Sequence, residues 1–203
     1  MNVRLKYEMP MTAAIYFGER FRVNTYEISF HFITNSESSE DNNIALERIK
    51  YFVNTVMDST VFINQNNIDQ SRKLVEAGCS VTTLPEEPVD QIVGMMLFCK
   101  FNAICDDYLK IIDLEIASVC GGDVWYKHNF LESLGPFEED GWWNQNNLAH
   151  ADSRIYNSDS KVFKIYKDTE WHDIDLHWSH QDTDSEDVAK DLANVLQFTR
   201  DEN

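Results

Sequence analysis

The densest run of chemistry-bearing side chains lies near the C-terminus, in Trp171-His172-Asp173-Ile174-Asp175-Leu176-His177-Trp178-Ser179-His180. Read as a strand, it puts Asp173, Asp175 and His177 on one face, with successive β-carbons about 7 Å apart. A metal needs donors that converge more tightly, usually from more than one element. His180 would have to swing in from the following loop to help. The run reads as a solvent-facing polar stripe backed by Ile174, Leu176 and Trp178, with a metal or acid–base site as the alternative.

A second group is aromatic. Trp142 and Trp143, with Trp125, Tyr126 and Tyr156 in the same region, offer flat surfaces that stack on a sugar or a base. Packing in a core or interface is the commoner fate of such residues. His128 and His150, with Asp140 and Asp152, make a further acid–base set that nothing in the sequence brings together. Asp182-Thr183-Asp184-Ser185-Glu186-Asp187 starts like a calcium loop but lacks the glycine at the sixth position and runs into a helix. Thr183 and Glu186 fit a capping box instead. Cys79, Cys99, Cys105 and Cys120 have no Cys-x-x-Cys spacing and read as buried reduced thiols, with a zinc site or disulfide as the alternative. Glycine-rich nucleotide loops, Gly-x-Ser-x-Gly and His-Glu-x-x-His are all missing. No catalytic class gains support, and no cofactor or metal is expected.

Charge narrows the partners. Asp and Glu number 35 against 17 Lys and Arg, a formal net charge of −18. Such a surface repels nucleic acid and anionic membranes. It serves solubility first, and docking on a basic protein partner second. The longest apolar run, Ile92 to Cys99, is too short to cross a bilayer, and the first ten residues lack the apolar region of a signal peptide. A soluble cytoplasmic protein is expected. Its wealth of Asn, Ile, Phe and Tyr suggests an AT-rich genome, such as that of a phage or marine microbe.

The elements that must position these residues follow from periodicity. Val3, Leu5, Tyr7 and Met9 alternate with Arg4, Lys6 and Glu8, and Thr12 to Phe17 continues the strand. Gly18-Glu19 marks a turn. A return strand from Phe21 to Thr34 sets Tyr26, Ile28, Phe30 and Phe32 against Glu27, Ser29 and His31. Asn35 to Asn43 reads as a solvated acidic loop. Leu46, Ile49, Val53 and Val56 recur at helical spacing. Val61 to Ile63 is a short apolar run, and Ile68 to Ala77 a shorter helix closed by Gly78. Val81 to Leu84 reads as a short strand or an extended loop, and Pro88 is placed as the first residue of the longest helix. That helix is apolar nearly all round, so either the C-terminal part or a second subunit must cover it. Ile111 to Val119 alternates again, Gly121-Gly122 turns, and a final strand of this part starts at Val124. Leu131 to Ser160 is irregular, followed by strands over 161–167 and 171–178 and a closing helix after Thr183.

This order resembles that of the tunnelling fold, the family of 6-pyruvoyl-tetrahydropterin synthase and its relatives in queuosine synthesis. Ala13-Ala14-Ile15 is similar to the family's Ala-Ala-His, and Arg22-Val23-Asn24-Thr25-Tyr26 to its His-Gly-His-Asn-Tyr. Val56-Met57-Asp58-Ser59 with Phe62-Ile63-Asn64 is similar to Leu-Asp-His…Phe-Leu-Asn, and Pro88-Val89-Asp90-Gln91-Ile92 to Pro-Thr-x-Glu-Asn. The resemblance implies an antiparallel sheet backed by two long helices in the order β-β-α-α-β-β. It also implies three zinc histidines, but Ile15, Arg22 and Asn24 stand in their places, and these cannot hold zinc well. The family's ligand-anchoring Glu falls near Ser118, which with Glu115 on the same strand becomes a candidate ligand position. Zinc-dependent pterin chemistry is therefore not expected. The expectation is an α+β core over residues 1–128 and a Trp-rich extension over 129–203 that packs on it. The function expected is non-catalytic, self-associating as a homo-oligomer or ligand-binding through Trp142 and Trp143. An enzyme or binder of the pterin and purine kind and an acidic interaction protein are the alternatives.

Overall fold

The computed structural model describes residues 4–156, 169–174 and 176. The chain opens with strands β1 (Arg4–Phe17) and β2 (Arg20–Thr34). Their alternation buries Met9, Met11, Ala13 and Ile15 on β1 and Tyr26, Ile28, Phe30 and Phe32 on β2. The two-residue turn has Gly18 at φ 55° and Glu19 at φ 62°. That is the mirror-image turn whose twist matches a hairpin.

Helix α1 spans Ser39–Tyr51, so it begins inside the stretch expected to be a loop. Ser38 caps it by accepting from the Asp41 amide, and Glu40 and Asp41 occupy the first turn. Carboxylates there complement the helix dipole, and their polarity hid the helix start. The helix continues into a π-helical turn over Phe52–Met57 that buries Phe52, Val53, Val56 and Met57.

Strand β3 (Val61–Asn64), helix α2 (Ile68–Glu76) and strand β4 (Val81–Leu84) follow. Helix α3 (Asp90–Ile104) leads to β5 (Leu109–Ser118) and β6 (Tyr126–Asn129). Pro88 precedes α3 by two residues rather than opening it.

The sheet order is β4-β3-β1-β2-β5-β6. Pairs β1–β2, β2–β5 and β5–β6 are antiparallel, but β1–β3 and β3–β4 are parallel. The α+β class holds, whereas the wholly antiparallel sheet and the β-β-α-α-β-β order do not. Two short strands and a helix intervene between α1 and α3. Val61, Phe62 and Ile63, and every residue of β4, are buried, as parallel strands usually are. Strands this short and buried carry no alternation to reveal their pairing.

Helix α3 is enclosed on all sides within one chain. Gly94 lets it approach β5 so closely that a β-carbon there would sit 2.8 Å from Ile116 Cγ2. Phe137, Trp142 and Trp143 join the same core as α3 and α1. The apolar surround of this helix therefore gives no argument for a second subunit. Cys99 and Cys105 are buried free thiols, but Cys79 and Cys120 are exposed, against expectation. No helix among the described residues is long and apolar enough to cross a membrane.

Beyond β6 the chain makes 3-10 turns at Gly135–Phe137, Trp142–Asn144, Ser153–Ile155 and Trp171–Asp173. The last replaces the strand expected from Trp171. Glu170 and Asp173 form a reciprocal capping box that bends the backbone, and Trp171 is buried edge-on to Tyr51. Asp175, His177 and His180, the expected strand over 161–167 and the expected closing helix lie outside the described residues.

Candidate ligand cleft

The 137–156 segment bonds β4 at Thr83, packs Ala151 and Ile155 with Ile63 and Val81, and packs Phe137, Trp142 and Trp143 into the core around α3. Its anchors are the two tryptophans. Trp142 Nε1 donates to Thr83 O on β4 at 2.9 Å. Trp143 Nε1 donates to Phe137 O at 3.2 Å and Glu139 O at 3.1 Å. The two indoles meet edge to face, as do Trp143 and Phe137. Both tryptophans are buried, so they form walls rather than open stacking surfaces.

Lys100 of α3 ties this segment down from below. The side chain is fully buried, and Nζ donates to Trp142 O at 3.1 Å and Gln145 O at 2.9 Å. The ammonium also lies over the Phe52 and Trp142 rings, 5.3 Å and 5.7 Å from their centroids. Burial pushes its pKa down to about 7.

The result is a cleft of about 430 Å³ whose lining includes Gln65, Asp140, Trp142, Gln145, His150 and Tyr156. That volume is within the range of about 300–1,000 Å³ typical of small-molecule sites. The lining has two carboxylates, Asp140 and Asp152, and neither lysine nor arginine. His150 is buried, and its Nδ1 lies 3.2 Å from Leu148 O, so that nitrogen carries the hydrogen. Nε2 lies 3.5 Å from Ser80 Oγ. Burial pushes the imidazole pKa down to about 4, assisted by nearby Lys100 and opposed by the Leu148 carbonyl. It is therefore neutral at physiological pH. Asp152 is held by Arg154, whose side-chain bond keeps the carboxyl pKa below the usual range. The Asp152 amide donates to Thr83 Oγ1 at 2.7 Å. Gln65, Asp140 and Ser153, by contrast, make no side-chain hydrogen bond to other described residues.

The fold thus gathers Trp142, Trp143, His150, Asp140 and Asp152, which the sequence left apart. It sends His128 elsewhere, edge-on to Phe98 at 4.9 Å on β6. His172 and Asp173 lie together on the surface of the Trp171 turn, 3.4 Å apart. Ser118 and Glu115 face opposite sides of β5 and share no site. Glu115 pairs with Lys127 at 2.7 Å on the outer face. Ser118 Oγ faces inward, 2.8 and 2.7 Å from the two oxygens of buried Asp90, and accepts from the Gly121 amide at 3.0 Å. Ser118→Ala would strip both groups of that partner. It should cost about 1–3 kcal/mol in urea unfolding.

At the positions that the resemblance assigns to zinc histidines, Ile15 and Asn24 are buried and Arg22 is exposed. Asn24 Oδ1 accepts from the Cys120 amide. Among the described residues no three His, Cys, Asp or Glu side chains are grouped to hold a metal ion.

Two features were missed in the sequence. Lys100 is a cation inside an apolar run, and that position was the available signal. The other is Asp113, buried on the outer sheet face. Arg4 bonds its carboxylate, and His31 Nδ1 lies 2.6 Å from Oδ1. Strand register could have paired it with His31. No family model matches the chain, and no curated protein does.

Proposed function

We propose that this is a non-catalytic binding protein that holds a neutral polyhydroxylated molecule of sugar size in the Trp142–Tyr156 cleft. The observation that carries this reading is a preformed cleft with a pinned floor and uncommitted polar groups on Gln65, Asp140 and Ser153. Amide, carboxylate and hydroxyl groups together both donate to and accept from sugar hydroxyls. The two carboxylates disfavour phosphates and other anions. Acid–base catalysis needs a positioned pair of titrating groups. Here His150 is engaged at both ring nitrogens and Asp152 is paired with Arg154, which leaves Asp140 alone.

A thermal-shift screen with neutral mono- and disaccharides and their phosphorylated counterparts tests this. A neutral sugar at about a hundredfold its Kd should raise Tm by about 5 °C or more. Gln65→Ala combined with Asp140→Asn should abolish that rise and leave the unliganded Tm unchanged. A panel without any shift, or shifts from the phosphorylated sugars alone, would remove the proposal.

A further inference from the structure

A second hollow lies on the other side of the Trp142–Asn144 turn. Trp142, Trp143 and Gln145 line the cleft described above, whereas Asn144 borders a separate groove of about 430 Å³. Its walls come from the C-terminal half of α3, the first residues of β5 and the loop after β6. The chain turns after β6, where the Glu132 amide bonds Asn129 O at 3.1 Å, and rejoins the core through Leu134 and Phe137. The groove lies between that loop and α3.

Its floor is apolar. Phe98, Cys99 and Ile111 are buried there, and Ala103 and Leu134 are half-buried. Asn102 is also on the floor, but the fold has taken up its amide. Nδ2 donates to Phe98 O at 3.0 Å, and Oδ1 accepts from the Ile111 amide at 3.0 Å. The Cys99 thiol keeps its proton, because burial pushes its pKa up to about 12. At the mouth, the Phe130 ring is 53% exposed. Such a lining suits an apolar body rather than a hydroxylated one.

Lys110 sets the charge of the ligand. Its ammonium lies 5.2 Å from the Phe130 centroid. Lys6, Lys50 and Lys127 each hold a carboxylate, but Lys110 holds none among the described residues. An unclaimed ammonium beside an apolar floor attracts a carboxylate. The overall charge of −18 does not prevent this, because exposed charges more than about 8 Å away are largely screened at physiological ionic strength. Glu132 is the other charge on the lining. Its two oxygens accept from the Asn129 amide at 3.3 Å and from Asn129 Nδ2 at 2.8 Å, and His128 Nδ1 is 3.4 Å away. Those bonds hold Glu132 to its own turn, whereas the Lys110 ammonium is left for a ligand.

We infer that this groove binds a small monocarboxylate with an aromatic or branched aliphatic body, the carboxylate on Lys110 and the body against Phe98, Ala103, Ile111 and Phe130. Amide chemical-shift titration of the full chain tests it with three probes that share one ring: phenylacetate, its neutral amide phenylacetamide, and the amine phenethylamine. Phenylacetate should shift the amides of Phe98, Ala103, Ile111 and Phe130 with a Kd of about 0.1–1 mM, the strength that one ion pair and a half-open apolar wall support. Phenylacetamide should bind at least about threefold more weakly, and phenethylamine more weakly still. Lys110→Gln, at an exposed position, should remove the difference between acid and amide. Ala103→Phe, which puts a ring into the groove, should abolish the shifts from both. Circular dichroism and Tm confirm that each variant folds. No shifts at these residues, an amide or amine that binds as tightly as the acid, or a preference for the acid that survives Lys110→Gln would overturn the inference. Shifts centred on Gln65, Asp140 and Ser153 would overturn it too, since they would place the acid in the cleft.

Discussion

Lys100→Ala should lower the unfolding free energy by about 3 kcal/mol or more, with Lys100→Met losing clearly less. The alanine variant opens a cavity between α3 and the 142–145 turn. It also removes the donor to Gln145 O and leaves Trp142 O with the Gln145 amide alone. Methionine refills the space without the hydrogen bonds, so the difference between the two variants separates packing from polar anchoring. Loss of the anchor frees the floor of the cleft, so both variants should also weaken sugar binding.

The same amine gives a pH signature. Its pKa is about 7 in the folded protein and near 10.5 in the unfolded chain. Between those values the unfolded state binds the extra proton, so stability rises with pH from about 7. From pH 9 the Cys99 and Cys105 thiols oppose this. Burial raises them from 9.0 to about 12, so the folded state keeps protons that the unfolded state loses. Stability at constant salt should therefore climb from about pH 7 to 9 and then level or fall. In Lys100→Met the climb should vanish. A separate rise between about pH 4 and 6.5, from His150 buried neutral, should persist in that variant.

The second large effect is expected at Gly141→Ala, with a cost of about 3 kcal/mol. Gly141 has φ −156° and ψ −178°, an extended conformation open to any residue. The obstacle is space. A β-carbon there would lie 2.4 Å from Trp143 Cζ2 and 2.5 Å from two further indole atoms. That ring cannot retreat easily, because Nε1 is bonded to Phe137 O and Glu139 O and the ring packs in T-shaped contacts with Phe137 and Trp142. Either the indole or the 140–142 backbone must move, and both border the cleft. Urea unfolding followed by tryptophan fluorescence measures the loss. A change below about 0.5 kcal/mol would mean that the segment yields without strain.

Periodicity made the frame legible. Alternation in β1 and β2, with Gly18-Glu19 between them, was enough for the hairpin, because local contacts form it. Helix α3 announced itself by length and by an apolar character that demanded cover on all sides. Of the two short strands, Val81–Leu84 was open to reading as a strand and Val61–Ile63 only as an apolar run, and their parallel pairing was hidden because buried residues have no outward face to alternate with. The start of α1 was hidden because Ser38, Glu40 and Asp41 look like a loop until Ser38 Oγ accepts the Asp41 amide and the two carboxylates sit in the first turn against the helix dipole. At Trp171 the opposite error arose. The alternating sequence suggested a strand, but the Glu170–Asp173 cap closed a turn.

The cleft was legible only in fragments. Trp142, Trp143, His150 and Asp152 stood out by type, but Gln65, Thr83 and Lys100 join them through long-range packing that no local pattern encodes. The tryptophans took the commoner of their two expected fates, packing, and their indole N–H groups bond the backbone while the rings line the cleft.

Saturation-transfer NMR with a mixture of neutral and phosphorylated sugars is the most direct test of the cleft as a binding site. Protons of at least one neutral sugar should take up saturation from the wild type and lose it with Gln65→Ala and Asp140→Asn together. Transfer to no sugar, or transfer that survives both substitutions, would contradict the account.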